Sequence, residues 1–383
     1  MSTMKKKALV IFTTLALACT TALSGCGNSG YDFAGSDLSA YITLPSDLTT
    51  HDYSSGLTLK GEVTDEDIQE AIDKALEELA EPVDLDENAT VEDGDTVVMD
   101  YVGKLDGEAF EGGSATDSSH EVLLENSTFI DGFDAGLVGM KAGETKDLNL
   151  TFPDPYEKNP DLAGKAVVFT VTIDSIERTK APELTDTLVT ENPNIFGKDI
   201  STADAYREQV KKDLKEGYEA ENKTKLINAA WKDVLESSTY TSYPDGLVDE
   251  YTDTLLDYYE HTVAAANEMH LKEYVKEQGY ESVTAFKEAV VIPEAEDIIK
   301  EKLALYAAAK ATGVSVTNDE AKAQAQTQYD ENIAPSLSLY SSYFGISNFE
   351  DYLAYIGGID SVKEGILFDR AFEIITGTQD TAK

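Results

Sequence analysis

Residues 129–144 read Phe129-Ile130-Asp131-Gly132-Phe133-Asp134-Ala135-Gly136-Leu137-Val138-Gly139-Met140-Lys141-Ala142-Gly143-Glu144. Ile130–Leu137 suits one short helix, and on either side of it the hydrophobic period is two. Upstream, Val97, Met99 and Tyr101 alternate with Val98, Asp100 and Val102. Downstream, Leu148, Leu150 and Phe152 alternate with Asp147, Asn149 and Thr151, and Val167, Phe169, Val171 and Ile173 alternate with polar partners. Such alternation marks half-buried antiparallel strands. Residues 91–180 therefore predict a small α+β domain, an antiparallel twisted sheet carrying one short helix.

Working outward, Thr64-Asp65-Glu66-Asp67 has a capping side chain and acids for a first helical turn. Ile68, Ile72 and Leu76 then recur at helical spacing until Pro82, so residues 61–90 read as a linker helix. Residues 26–60, rich in Gly, Ser, Thr and Asp, read as a flexible tether passing into an extended segment near Tyr41–Leu59. Beyond Pro182 the pattern is helical almost to the end, so residues 181–383 form a mostly α-helical domain. Ser201 or Thr202, Pro244-Asp245, Pro293 and Thr317 open its helices, and Phe349–Ile356 and Val362–Ile375 supply the last pieces. No fixed-period repeat is present, which argues against a solenoid.

Three pieces of the middle domain occur in order: Gly94-Asp95-Thr96-Val97-Val98-Met99-Asp100-Tyr101-Val102-Gly103, then Asp106-Gly107-Glu108-Ala109-Phe110-Glu111-Gly112-Gly113, then residues 129–144. With them the chain resembles the FKBP-type peptidyl-prolyl isomerases, and among these it is most similar to trigger factors. Ala166–Ile176 falls where that family has its final strand. Val63–Ala80 is similar to the helix before the trigger factor isomerase domain, and Pro182-Glu183-Leu184-Thr185 to the entry into the helical chaperone domain. The resemblance covers about 63–377. At the front it stops: no basic, Gly-Phe-Arg-containing ribosome-binding domain is found, and ribosome docking is not expected.

By matching motifs, the resemblance implies a pocket of Tyr101, Phe110, Ile130, Phe133 and Phe169, with Phe133 as its floor. It implies catalytic roles for Tyr101, Phe110, Glu111 and Phe169, with Glu111 standing where many relatives have Asp, a longer acid that would alter the hydrogen bond to Tyr101. Ile130, Phe133, Phe129 and Tyr156 are the implied substrate-binding residues: the Ile130 amide would donate to substrate, and Tyr156 would offer its hydroxyl to a substrate carbonyl. His120 is expected at the rim. The alternative for each aromatic residue is plain core packing. Isomerisation of an X–Pro bond passes through a twisted amide over a barrier of about 18–20 kcal/mol. That form is less dipolar than the planar one, so a water-poor apolar pocket favours it. The chemistry asks for no nucleophile, metal or cofactor, and His51, His120, His261 and His270 have no ligand-like spacing.

At the amino terminus, Lys5, Lys6 and Lys7 precede an apolar run from Ala8 to about Ala18, too short to span a bilayer, for which roughly 20 residues are needed. Leu23-Ser24-Gly25-Cys26 then resembles a bacterial lipobox. This implies a signal peptide over residues 1–25, diacylation of Cys26, and attachment to the outer face of the cell membrane. The alternative is an ordinary secretory signal with an incidental Cys. The mature chain would hold no free thiol and no disulfide. Formal charge is −43, and loss of three Lys leaves 27 basic against 73 acidic residues. So acidic a protein repels phosphate backbones, which excludes nucleic acid as a partner. The expected partners are unfolded or nascent secreted polypeptides with X–Pro bonds. Tyr258, Tyr259, Tyr340, Tyr343, Phe344, Tyr352 and Tyr355 could form a loose surface for them, or simply pack helices. The rival readings are a binding protein with a degenerate pocket, a solute-binding lipoprotein, which would need βαβ units absent here, and a parvulin-type foldase, against which the 129–144 motif argues.

Overall fold

The computed structural model describes residues 31–124 and 127–379. Cys26 and the leader lie outside them. The chain divides into two compact units, one formed by residues 63–215 and the other by 216–383 together with the residues up to 62.

In the first unit, β1 (Thr96–Leu105), β2 (Glu108–Leu123), β3 (Thr145–Thr151) and β4 (Ala166–Glu177) form one antiparallel sheet in the order β2-β1-β4-β3. The three alternating segments of the sequence are β1, β3 and β4. Strand β2 is the addition. Its run of Gly, Ser and Thr carries no apolar alternation, and its register against β1 breaks twice, between Met99 and Tyr101 and between Val102 and Lys104, so no single period runs along it. Asp106 and Gly107, both at positive φ (50° and 89°), make the tight turn from β1 into β2, as the right-handed strand twist requires of a two-residue hairpin. Helix α2 (Phe133–Leu137) lays Phe133 and Leu137 on the sheet.

Helix α1 (Asp65–Glu77) starts where the sequence predicts: Thr64 accepts from the Asp67 amide while the Asp67 carboxylate accepts from the Thr64 amide. It is more than a linker. Ile68, Ile72 and Leu76 pack with Val189, Phe196, Tyr206 and Val210, so residues 181–215 join this unit instead of the helical one. Complete burial of Ile72 contributes roughly 1.5–3 kcal/mol. Val189 lies on α3 (Asp186–Glu191), and Tyr206 and Val210 on α4 (Ala203–Ser237), a continuous helix that contributes residues to both units. At the foot of the sheet, Arg178 donates to both carboxylate oxygens of Asp95 (2.7 and 2.8 Å) and to the Thr90 carbonyl. This buried pair ties the end of β4 to the start of β1.

The second unit contains α5 (Leu247–Tyr258), α6 (Leu271–Glu277), α7 (Ile292–Thr312), α8 (Asn318–Gln328), α9 (Leu337–Phe344), α10 (Phe349–Tyr355) and α11 (Gly358–Thr376). Trp231 meets Phe368 and Phe372 edge-on, 5.4 Å between centroids in each case. Beside this core, Lys302 donates to both oxygens of Glu364 (2.6 and 2.7 Å), and the Tyr306 hydroxyl donates to the same carboxylate. The expectation of a flexible tether over 26–60 is corrected for its described part. Phe33, Leu38, Ile42, Leu48 and Tyr53 are buried with Trp231, Leu303 and Phe368; Ile42–Thr43 pairs with Thr239–Tyr240; and the Lys60 backbone exchanges hydrogen bonds with the Asn222 side chain. Their irregular spacing hides them from any period, yet each apolar side chain finds a place between helices.

Candidate functional site

The site is a group of rings packed on one face of the sheet, with β1, β2 and β4 each supplying a ring. Tyr101 projects from β1 and Phe169 from β4, while Phe133 comes from the first turn of α2 and Phe129 and Ile130 from the loop before it. Phe133 is fully buried, and its centroid lies 5.3 Å from Phe169 and 6.2 Å from Tyr101, both edge-on. Phe129 lies flat on Phe133, 3.8 Å between centroids and 7° between planes. Phe110, at the start of β2, stands 6.4 Å from Phe169 and 5.9 Å from Phe152. Tyr101 and Phe169 are 6.1 Å apart.

Two glycines make room for this convergence. A Cβ at Gly103 would lie 2.6 Å from the Phe169 ring and 2.8 Å from Phe110, and one at Gly113 would lie 2.5 Å from Phe110. Helix α2 is set down close to β3 by the same means, since a Cβ at Gly136 would meet Leu148 at 2.7 Å.

The structure brings Tyr101, Phe110, Phe129, Ile130, Phe133 and Phe169 together. Among the described residues the Ile130 amide has no acceptor, which leaves it available to a bound carbonyl. Burial pushes the Tyr101 hydroxyl above its ordinary pKa, so it stays a neutral donor through the physiological range. Tyr156 reaches the group through Phe152 (5.1 Å) and is half-buried at the edge. Glu111 is the correction. It is exposed and, among the described residues, makes no hydrogen bond to Tyr101; it lies in the stretch of β2 where the register against β1 breaks.

Phe152 was missed by the sequence reading as a site residue, although its place at the end of the β3 alternation, one residue before a Pro, could have shown it. His120 is half-buried at the rim, its ring edge-on to Tyr101 (5.3 Å) and to Phe129 (5.5 Å).

In the helical unit the seven aromatic residues separate. Tyr352 is buried, and Tyr259 packs on Phe286 and donates to Glu294 (3.0 Å). Tyr343, Phe344 and Tyr355 instead stand 75%, 52% and 59% exposed, with Phe344 5.7 Å from Tyr355.

A sequence model described as FKBP-type peptidyl-prolyl cis-trans isomerase matches residues 87–174, and one described as bacterial trigger factor protein C-terminus matches residues 202–335. The trigger factor of Shouchella clausii is 31% identical over 345 residues, covering 88% of this chain and 73% of its own length. That of Bacillus subtilis is 34% identical over 315 residues (82% and 68%), and that of Staphylococcus carnosus 31% over 349 residues (89% and 73%). A solved trigger factor chaperone aligns at 16% identity over 88% of this chain and 73% of that one, with a TM-score of 0.37, too low to bear on the arrangement of the units. On the sequence matches, taken with a cluster of rings on an FKBP-like sheet and a largely helical second unit, the chain belongs to the trigger factor family.

Proposed function

We propose that the chain is a membrane-anchored, extracytoplasmic peptidyl-prolyl cis-trans isomerase and chaperone that assists the folding of secreted proteins. The observation that carries the catalytic part is the convergence of Tyr101, Phe110, Phe169 and Ile130 over the buried floor of Phe133. A prolyl ring held against these side chains sits in a water-poor site that stabilises the less dipolar, twisted amide more than the planar one. The Ile130 amide fixes a neighbouring carbonyl, so rotation is confined to the X–Pro bond. Tyr343, Phe344 and Tyr355 offer exposed apolar area to unfolded segments. Lys5–Lys7, the short apolar run and Cys26 support attachment by acyl chains. The clients on this reading are unfolded or nascent secreted polypeptides, and the acidity of the chain disfavours nucleic acid as a partner.

The test is refolding of a proline-limited protein by the chain beside Phe169→Ala and Phe110→Ala, the latter half-buried and gentler on the fold. Acceleration that both variants lose supports catalysis at this site; no acceleration by folded protein refutes it. Cys26→Ser is expected to abolish acyl labelling and release the protein from membranes, and a variant that stays bound overturns the anchor. One observation favours a second reading, a non-catalytic holdase. Phe129 already occupies the face of Phe133 at stacking distance, where a prolyl ring would lie.

A further inference from the structure

Resting on the reading of Cys26 as a lipid anchor, we propose that the helical unit is held at the membrane surface, with the place where Tyr31 and Phe33 dock on α7 lying next to the lipid headgroups. A random tether over residues 26–60 would let its far end stand on the order of 30 Å away on average, and about 120 Å at full stretch. The structure removes nearly all of that length. Phe33 stacks on Tyr306 of α7 (5.5 Å between centroids, 18° between planes), and the Tyr31 ring meets Phe33 edge-on at 4.8 Å. Lys310, near the end of the same helix, donates to the Ser36 carbonyl. The Tyr41 carbonyl accepts from the Thr241 amide (2.9 Å), and Leu38 and Ile42 are buried in the helical core.

Only residues 27–30 separate Cys26 from Tyr31. Whatever path they take, a chain advances at most about 3.3–3.6 Å per residue, so Tyr31 lies within about 18 Å of the acylated residue. That is less than the width of two helices, about 10–12 Å each. Acyl chains in the hydrocarbon keep Cys26 at headgroup level. The docked segment passes this restraint to α7 and so to the unit.

The chemistry of the docking place suits that neighbour. Tyr31 and Tyr41 are half-buried with rings 6.5 Å apart, and a Tyr with a packed ring and a polar tip is favoured at a membrane–water interface. Asp32 and Asp37 are exposed, Asp245 is a third acid near Tyr41, and Lys310 is the cation beside Ser36. The acids oppose flat adsorption to anionic lipid, as the formal charge of −43 does for the whole chain. A reach of about 18 Å exceeds the Debye length of about 8 Å at physiological ionic strength, so the unit can stand off where repulsion is screened without leaving the surface. The covalent link supplies the proximity, and the surface need not bind lipid by itself. Tyr343, Phe344 and Tyr355 belong to the same unit, so a client segment leaving the membrane meets them on the unit held there.

The experiment uses the acylated protein in vesicles of phosphatidylethanolamine and phosphatidylglycerol, some of whose headgroups carry a nitroxide quencher. Ala311→Cys, at an exposed position next to Lys310 on α7, takes a fluorophore. With Cys26 acylated and Cys19 lost with the leader, no other thiol competes for the label. The reference is the same protein with about 30 Gly/Ser residues inserted between Gly30 and Tyr31, whose tether reaches on the order of 30 Å. Quenching is expected to be about threefold stronger with the native tether than with the long one. Mass spectrometry of the vesicle-bound protein reads the acyl group on Cys26 separately. Acylated protein with equal quenching in the two forms, or with none in either, overturns the proposal and leaves the anchor standing. Cys26 free of acyl groups overturns the anchor and the proposal together.

Discussion

In the sheet unit Phe129 lies flat on a fully buried Phe133, while in the helical unit Phe344 touches Tyr355 with both rings more than half exposed. Charge is distributed the other way. The sheet unit holds buried Asp95 against half-buried Arg178 at its foot, whereas the helical unit sets Lys302, Glu364 and Tyr306 together. Rings gathered on a rigid sheet define a shape that accepts one kind of group. Rings standing out from two short helices offer area without a shape. An aromatic residue therefore says little about function until its burial is known.

The largest expected effect separates the two kinds of ring directly. Phe133→Ala should destabilise by about 3–5 kcal/mol through the cavity it leaves, and Phe344→Ala should stay within about 0.5 kcal/mol, both read by urea denaturation. Equal effects would erase the contrast.

Next in size is Gly103→Ala, which asks whether ring placement matters beyond ring presence. The new methyl must displace both Phe169 and Phe110 and press on the Gly113 carbonyl, a strain of about 1–3 kcal/mol, and prolyl isomerisation should fall about tenfold or more in protein that remains folded, a loss of more than about 1.4 kcal/mol of transition-state stabilisation. Unchanged catalysis would show that the rings have latitude.

The smallest effect concerns buried charge. Burial, and then the nearby Asp297 carboxylate, raise the Glu301 pKa to about 7 from an ordinary 4.5. The unfolded chain thus loses this proton before the folded one, and stability falls as pH rises through that window. Allowing for solvent screening of a partly exposed group, Glu301→Gln should be more stable than the parent at pH 8 by about 1–2 kcal/mol and equal to it below about pH 4.5. Thermal melts that run parallel across the window would remove Glu301 from the account.

Much of the sheet unit was legible because its signals are local. Alternation exposed β1, β3 and β4, Thr64 marked the start of α1, and the order of the glycine and aromatic motifs placed Tyr101, Phe133 and Phe169 in one site. Strand β2 escaped because two register breaks against β1 interrupt its alternation and its run of Gly, Ser and Thr supplies few apolar markers.

What the sequence determined by itself was periodicity and capping, set by residues within one turn or one strand of each other, and the order of motifs along residues 94–144. The tertiary structure decided the rest. It turned Glu111 to solvent, drew Phe33, Leu38, Ile42 and Tyr53 into a helical core, assigned residues 181–215 to the sheet unit, and separated Tyr352 from Tyr355 although both lie on α10. These outcomes depend on which surface arrives from far along the chain to cover a side chain, and no short-range pattern records that.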